Sequence, residues 1–141
     1  MTSADATPLV LIVDDYQDAR EMYAEYFVYS GFRTAEATNG HEAVQQAIEL
    51  IPDIILMDLS LPGMDGWEAT RRIKVDRRTS HIPIIALTGH ALPGSSESAR
   101  NAGCDGFVVK PCLPDAVVDE VRRLLATLKA KGAARPKKSH A

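Results

Sequence analysis

The sequence has no long apolar run and few cysteines, and each lack excludes a class of protein. No hydrophobic stretch approaches the roughly 20 residues that span a bilayer, so we expect no membrane segment. The opening residues, MTSADATP, lack the basic start and apolar stretch of a secretory signal, which favours a cytoplasmic location. The two cysteines, Cys104 and Cys112, show no repeated C-x-x-C spacing. We therefore expect two unpaired thiols rather than a disulfide or a zinc site.

Charge is distributed unevenly along the chain. Five of the 16 basic residues lie in residues 129–141, which contain no acid, so residues 1–128 hold eleven basic residues against 19 acids, a formal charge of −8. An acidic body argues against DNA as a direct partner. The end of the chain, KGAARPKKSHA at 131–141, has no large apolar residue, and we expect a disordered basic tail. Solubility is our preferred role for it over contact with an anionic partner.

Short apolar runs that stop at polar residues indicate the fold. A chain of 141 residues suits one domain, which we place at 9–130 after an N-terminal extension at 1–8. Four runs end in this way: LVLIV before Asp14 and Asp15, IILM before Asp58, IIAL before Thr88, and FVV before Lys110. Such runs, separated by helical patterns, are typical of parallel strands buried on both faces. A more polar run at 33–37 is predicted to be a fifth strand at the edge of the sheet.

Helical patterns alternate with these strands. They cover 16–30 before Gly31, 41–50 before Pro52, 67–75, a weak stretch at 95–102, and 113–129. The alternation predicts an α/β fold, a doubly wound five-stranded parallel sheet with helices on both faces. In such sheets ligands bind outside the carboxyl ends of the strands, so we expect the polar strand-end residues to meet at one edge.

Three carboxylates are predicted to lie side by side at that edge. Asp14, Asp15 and Asp58 would repel one another unless a cation neutralised them, and hard oxygen ligands suit Mg²⁺ together with a phosphate oxygen. Thr88 would add a hydroxyl donor and Lys110 a positive charge, which are groups that phosphoryl transfer requires. One carboxylate would then be the nucleophile or acceptor. Taken singly these residues are ordinary caps and loop residues, so the prediction depends on the whole set.

Several motifs, in order and spacing, resemble the receiver domain of response regulators. They are VDD, NGHEA at 39–43, MDLSLPGMDG, ALTG, NAGCDG at 101–106, and FVVKP. The resemblance covers about residues 9–128. It implies a single-domain, chemotaxis-type regulator of a two-component or phosphorelay system, with the flavodoxin-like strand order 2-1-3-4-5.

The resemblance also implies a role for each acid. Asp58 would accept the phosphoryl group from a sensor histidine kinase or a histidine phosphotransfer protein. Asp15 would bind Mg²⁺ directly, and Asp14 would assist through water. The backbone carbonyl of Ser60 would be a further metal ligand.

Residues that follow the later strands would complete the switch. By the same resemblance, Thr88 and Lys110 would hold the phosphoryl oxygens, Thr88 and Phe107 would move on phosphorylation, and Ser60 and His90 would modulate the lifetime of the aspartyl phosphate. The fourth predicted helix, the fifth strand and the fifth predicted helix (the α4-β5-α5 face of the family) would contact a downstream protein target.

Two other functions stay open at this stage. A magnesium-dependent phosphohydrolase would use Asp58 as a covalent nucleophile. An enzyme of the haloacid-dehalogenase type would want a second acid where this chain has Ser60, so we expect no enzyme beyond slow self-dephosphorylation. A receiver-like adaptor that works without phosphorylation would have no need of Thr88 and Lys110.

Overall fold

Five parallel strands form one sheet in the order β2-β1-β3-β4-β5. The structure, a computed structural model, describes residues 7–59, 66–88, 103–109 and 113–134. The strands are β1 (Leu9–Val13), β2 (Arg33–Ala37), β3 (Ile54–Asp58), β4 (Ile84–Thr88) and β5 (Gly106–Val109). The helices in the described residues are α1 (Gln17–Tyr29), α2 (Gly40–Leu50), α3 (Gly66–Val75) and the C-terminal helix (Pro114–Ala134). The predicted doubly wound α/β fold and the strand order are confirmed.

Helices cover both faces of the sheet, which explains why the strands are apolar throughout. Successive side chains of a strand point to opposite faces, so each strand contributes to two cores. One core joins Leu11, Val13, Ile55, Met57, Ile84 and Ala86 to α2 and α3 through Ala43, Ala47, Ala69 and Ile73. The other joins Val10, Ile12, Ile54, Leu56, Ile85 and Leu87 to α1 and the C-terminal helix through Tyr23, Phe27, Val117 and Val121. β2, which pairs with β1 alone, is the polar edge strand that the sequence predicts.

The first two helices end close to where the sequence predicts. α1 ends at Tyr29, and Gly31 follows with φ at +97°, a left-handed conformation that glycine adopts easily. At the start of α2 the side chain of Asn39 accepts a hydrogen bond from the Glu42 N–H, which is a standard N-cap. α2 ends at Leu50, and Ile51 takes a left-handed φ of 44° just before Pro52.

The C-terminal helix runs further than the sequence pattern indicates. It begins at Pro114, a residue suited to a first helical position, and ends at Ala134 rather than at the predicted residue 129. Residues 131–134, which the sequence analysis assigns to the tail, are therefore helical. Alanines at 130, 133 and 134 have high helix propensity, and adding residues to a formed helix is easier than starting one. The remainder of the tail, at 135–141, and the weak helix predicted at 95–102 lie outside the described residues.

Two acids at the amino edge of the sheet hold the beginnings of strands. Asp53 Oδ2 accepts a hydrogen bond from the Leu9 N–H at 2.7 Å. Asp105 Oδ2 accepts one from the Ile84 N–H at 2.9 Å and another from Lys74 Nζ at 3.0 Å. Lys74 Nζ also donates to the Ile82 carbonyl at 2.7 Å. Through Lys74 and Asp105, these bonds connect α3 and the residue before β5 to the first residue of β4.

Cys104 is a free thiol in the core next to this amino edge, as predicted. Burial raises the pKa of the thiol to about 11, so the unreactive protonated form dominates at neutral pH. Cys112 lies outside the described residues. None of the helices described is long and apolar enough to cross a membrane.

Candidate functional site

The register of the central strands brings the predicted site residues to one edge. Val13 of β1 is level with Met57 of β3, so Asp14 and Asp58 come next on neighbouring strands. Asp58 is itself level with Leu87 of β4, so Thr88 follows directly beside it. Neighbouring strands lie about 4.8 Å apart. The carboxyl edge of the sheet therefore presents two acids and a hydroxyl in adjacent positions, as the sequence predicts.

Asp14, Asp15 and Asp58 form a cluster in which one carboxylate oxygen of each lies within 4.8 Å of the others. Asp14 is 1% exposed and Asp58 is 5% exposed, whereas Asp15 is open to solvent. Burying like charges this close together is costly unless a cation offsets them. All three ligands are hard oxygens and one side of the cluster is open to water, which fits the coordination that Mg²⁺ prefers. The residues present can therefore hold such an ion.

Main-chain and side-chain bonds fix the position of Asp14. Its Oδ1 accepts a hydrogen bond from the Tyr16 N–H at 2.9 Å, and its own N–H donates to the Ala37 carbonyl at 3.1 Å. Arg20 Nη1 donates to the Asp14 carbonyl at 3.0 Å, while Arg20 Nε pairs with Glu36 of β2 at 2.9 Å. The sequence analysis missed Arg20. The signal for it is its place in the first turn of α1, five residues after Asp15.

Asp58 is held on both sides because it ends the strand at the centre of the sheet. β3 pairs with β1 on one side and with β4 on the other, and all five of its residues are buried. The next N–H, that of Leu59, donates to the Leu87 carbonyl at 3.0 Å and continues the pairing beyond Asp58. The main chain at Asp58 is therefore well fixed.

The remaining predicted residues lie on or after β4 and β5. Thr88 is 7% exposed and level with Val109, the last residue of β5. Phe107 is level with Ala86, is partly buried, and packs against the core that includes Met57. Lys110, which follows Val109 in the chain, lies outside the described residues, and the same is true of Ser60 and His90. The structure thus brings together Asp14, Asp15, Asp58 and Thr88, with Phe107 one strand away from Thr88.

Comparisons with known proteins agree on one family. The sequence profile described as the response regulator receiver domain matches residues 10–122. The polar-differentiation response regulator DivK of Brucella anthropi is 35% identical over 116 residues, which are 82% of this chain and 94% of that protein.

Solved structures of receiver domains have the same architecture. The receiver domain of sensor histidine kinase PA1611 from Pseudomonas aeruginosa, described with a magnesium ion coordinated in its active-site cleft, superposes with a TM-score of 0.78 at 31% identity, over 85% of this chain and 98% of that one. Chemotaxis protein CheY4 of Vibrio cholerae gives a TM-score of 0.79 at 27% identity, over 83% and 98% of the two chains.

Proposed function

The chain belongs to the response regulator receiver family, a family of phosphoryl-accepting signalling switches and not of enzymes, and we propose that Asp58 is its phosphoacceptor. Members of this family act with histidine kinases and downstream targets. The observation that carries the proposal is the position of Asp58. It is a 5% exposed carboxylate at the end of the central strand, beside two further carboxylates that can share a cation with it.

The proposed reaction moves one phosphoryl group from a phosphohistidine to Asp58. A carboxylate oxygen of Asp58 forms a bond to phosphorus while the P–N bond of the donor breaks. The electron pair of the broken bond stays on the imidazole nitrogen, and the ring leaves neutral when its other nitrogen is protonated. The donor would be a sensor histidine kinase or a histidine phosphotransfer protein. The product is an aspartyl phosphate, whose hydrolysis by water returns the switch to its first state.

Asp14, Asp15 and Asp58 would hold Mg²⁺, with the backbone carbonyl of Ser60 as a further ligand. When bound, Mg²⁺ would offset the negative charge of the carboxylates and of the phosphoryl oxygens. The oxygen-only cluster supports this proposal, and so does the magnesium ion in the related PA1611 receiver domain. Arg20 would keep Asp14 in place through its bond to the Asp14 carbonyl.

Thr88 and Lys110 would bind the phosphoryl oxygens, through a hydroxyl and an ammonium group respectively. Thr88 and Phe107 would then change position together, since they lie on paired strands. We expect this change to alter the face that β5 forms with its neighbouring helices, and so to control binding of a downstream protein. Ser60 and His90 would modulate the rate at which the phosphate is lost. We further propose a cytoplasmic location without direct DNA binding, supported by the unpaired Cys104 thiol and the acidic body.

The test is phosphoryl uptake from a small donor. The protein is incubated with acetyl phosphate and Mg²⁺, and intact mass is followed for the addition of one phosphoryl group. Asp58→Asn should abolish the adduct, and chelation of Mg²⁺ should do the same. Asp53→Asn is the matched control, because Asp53 lies at the opposite edge of the sheet and should leave uptake unchanged.

An adduct that survives in Asp58→Asn would place the acceptor elsewhere. No adduct in the wild type, repeated with a panel of histidine kinases as donors and with beryllofluoride as a phosphoryl mimic, would favour a receiver that works without phosphorylation. Release of phosphate over many fast turnovers would contradict the assignment as a switch.

A further inference from the structure

The first residue of α3, Gly66, lies against the main chain of Asp58. A Cβ atom built on Gly66 would come within 2.2 Å of the Asp58 carbonyl oxygen, 2.6 Å of Leu59 Cα and 2.9 Å of the Asp58 carbonyl carbon. Cβ atoms in proteins hardly ever approach another heavy atom closer than 3.0 Å. All three neighbours belong to the backbone, so no side chain can rotate away to make room. Only glycine fits here, and the reason is close contact rather than an unusual φ.

Neither side of this contact can move easily. The main chain at Asp58 is fixed by strand pairing and by the hydrogen bond from the Leu59 N–H to the Leu87 carbonyl at 3.0 Å. α3 is fixed by Ala69 and Ile73, which are 0% and 1% exposed in the core. With a methyl group at position 66, the distance from its carbon to the Asp58 carbonyl oxygen would have to increase from 2.2 Å to at least 3.0 Å, a shift of 0.8 Å. Interiors packed to this density transmit such a shift instead of absorbing it.

We propose that Gly66 is a positioning residue for the phosphoacceptor, which sets where the Asp58 carboxylate stands relative to Asp14 and joins its main chain to the first turn of α3. This inference rests on the proposed role of Asp58. A displacement of about 1 Å in a reacting group can lower a rate roughly 100-fold, because both the approach distance and the angle of attack change. The same displacement opens the cluster of carboxylates that would hold the cation.

The neighbouring residue supplies a spectroscopic signal for this contact. Trp67 is the single tryptophan of the chain, follows Gly66 directly, and packs partly buried against the core that contains Met57 and Leu59. If the start of α3 and the Asp58 main chain move as one unit, occupation of the site should change the emission of Trp67. The fluorescence of the unmodified protein can therefore report on events at Asp58.

The principal experiment compares Gly66→Ala with Gly31→Ala. Gly31 has a φ of +97° and nothing within 4 Å of a built Cβ, so Gly31→Ala strains the chain at the far end of α1 without touching the site. For Gly66→Ala we expect the rate constant of acetyl phosphate uptake to fall about 10- to 100-fold per folded molecule, and the Kd for Mg²⁺ to rise about tenfold. Gly31→Ala should keep both wild-type values even when it unfolds at a lower temperature.

Both variants are also made in an Ile51→Gly background. Ile51 has a left-handed φ of 44° that favours glycine, so this change should raise the unfolding midpoint and keep Gly66→Ala folded. In addition, Mg²⁺ followed by beryllofluoride is titrated into the wild type while Trp67 emission and the bound fluorine signal are recorded. We expect the emission to change in step with binding.

Each outcome bears on one of the two proposals. A wild type that takes up no phosphoryl group defeats the proposed function itself. If the wild type takes up a phosphoryl group and the folded Gly66→Ala protein has the same rate constant and the same Mg²⁺ affinity, only the positioning role of Gly66 is contradicted. If Gly66→Ala does not fold in either background, the wild-type titration decides, since binding of beryllofluoride with constant Trp67 emission would contradict the coupling.

Discussion

The two edges of the sheet use aspartate in opposite ways. At the amino edge, Asp53 and Asp105 each accept hydrogen bonds from the first N–H of a strand, and Asp105 also pairs with Lys74. At the carboxyl edge, Asp14, Asp15 and Asp58 are gathered with carboxylate oxygens within 4.8 Å of one another, and Asp14 and Asp58 are buried. The amino-edge acids are bonded to the starts of strands, whereas the carboxyl-edge acids lie against one another, although Asp14 also accepts a hydrogen bond from the Tyr16 N–H.

This difference separates stability from function within one layer of structure. Acids at the amino edge satisfy backbone donors and should stabilise the fold. Acids at the carboxyl edge repel one another and should destabilise it until a cation arrives, which is the usual cost of a functional site. The comparison therefore predicts that equivalent substitutions at the two edges change the free energy of unfolding in opposite directions.

The largest effect is expected for Asp105→Ala, which should lower the free energy of unfolding by about 2 kcal/mol. The substitution leaves the Ile84 N–H and the Lys74 ammonium group without their shared acceptor. Urea unfolding in the presence of a chelator measures the change. Asp105→Asn, which keeps an acceptor for Ile84, should lose less, and phosphoryl uptake per folded molecule should stay at the wild-type rate. If Asp105→Ala instead lowered phosphoryl uptake and left the free energy of unfolding unchanged, the assignment of the amino edge to stability would be wrong.

Addition of Mg²⁺ should stabilise the folded protein through the acids of the carboxyl edge and not through those of the amino edge. At a concentration ten times its Kd, the ion should raise the free energy of unfolding of the wild type by about 1.4 kcal/mol, because it binds the folded chain and not the unfolded one. Asp15→Asn should reduce this gain, whereas Asp53→Asn should retain it. Unfolding curves with and without Mg²⁺ provide the measurement. An equal gain in Asp15→Asn would show that the ion binds outside the cluster.

Asp58→Asn should stabilise the protein in the absence of Mg²⁺. Removing one of three clustered charges should raise the free energy of unfolding by about 1 kcal/mol, the scale of the repulsion between two unit charges about 4 Å apart in water. Urea unfolding in a chelator measures this gain. Saturating Mg²⁺ should then narrow the difference, because the wild type gains more from the ion. A destabilised Asp58→Asn protein under chelation would mean that local hydrogen bonds outweigh repulsion at this edge.

Glu42 sharpens the comparison, because it lies at the carboxyl edge outside the cluster of three aspartates, and its carboxylate accepts a hydrogen bond from a backbone N–H, as those of Asp53 and Asp105 do. Its Oε1 accepts hydrogen bonds from the Thr38 N–H at 2.8 Å and from the Thr38 hydroxyl at 2.9 Å, and the backbone bond is the main cause of its lowered pKa. A lowered folded pKa gives stability that is present above the ordinary value of 4.5 and is lost as the pH falls through the lowered one.

Glu42→Gln should therefore lower the free energy of unfolding by only about 0.5 kcal/mol at neutral pH, since solvent screens this surface group. The difference from the wild type should vanish in acid, where the glutamate is protonated. Urea unfolding at a series of pH values checks both points. A difference that grows towards low pH would contradict the assigned direction of the pKa shift.

The strands and the acid cluster could be predicted because one rule governs both. Apolar runs such as IILM stop where the chain leaves the sheet, so the polar residue that follows each run, for example Asp58, marks its carboxyl end. Parallel strands then place those ends together without any further information. The N-cap of α2 at Asn39 follows similarly from local chemistry.

Features that depend on distant contacts could not be read from the pattern. The role of Arg20 requires β2 to lie beside β1, so that Glu36 can hold the guanidinium over Asp14. The contact of Gly66 with Asp58 joins residues eight positions apart, and no periodicity in the sequence predicts that these two residues meet. Ile51 occupies a left-handed conformation that its β-branched side chain disfavours, so the conformational preferences of isoleucine would not predict it.

The strand order has a consequence for how the protein folds. β1 pairs not only with β2 but also with β3, which is separated from it in the chain by α1, β2 and α2, and this pairing sets Val10 beside Ile54. Pairing strands that are this far apart in the sequence is slow compared with forming the local helices α1 and α2. Asp14, Asp15 and Asp58 therefore come together only after β1 has paired with β3. Their repulsion should lower the stability of the native state without affecting early folding intermediates. We expect Mg²⁺ to slow unfolding while leaving the folding rate nearly unchanged, as is typical of interactions that are made after the transition state.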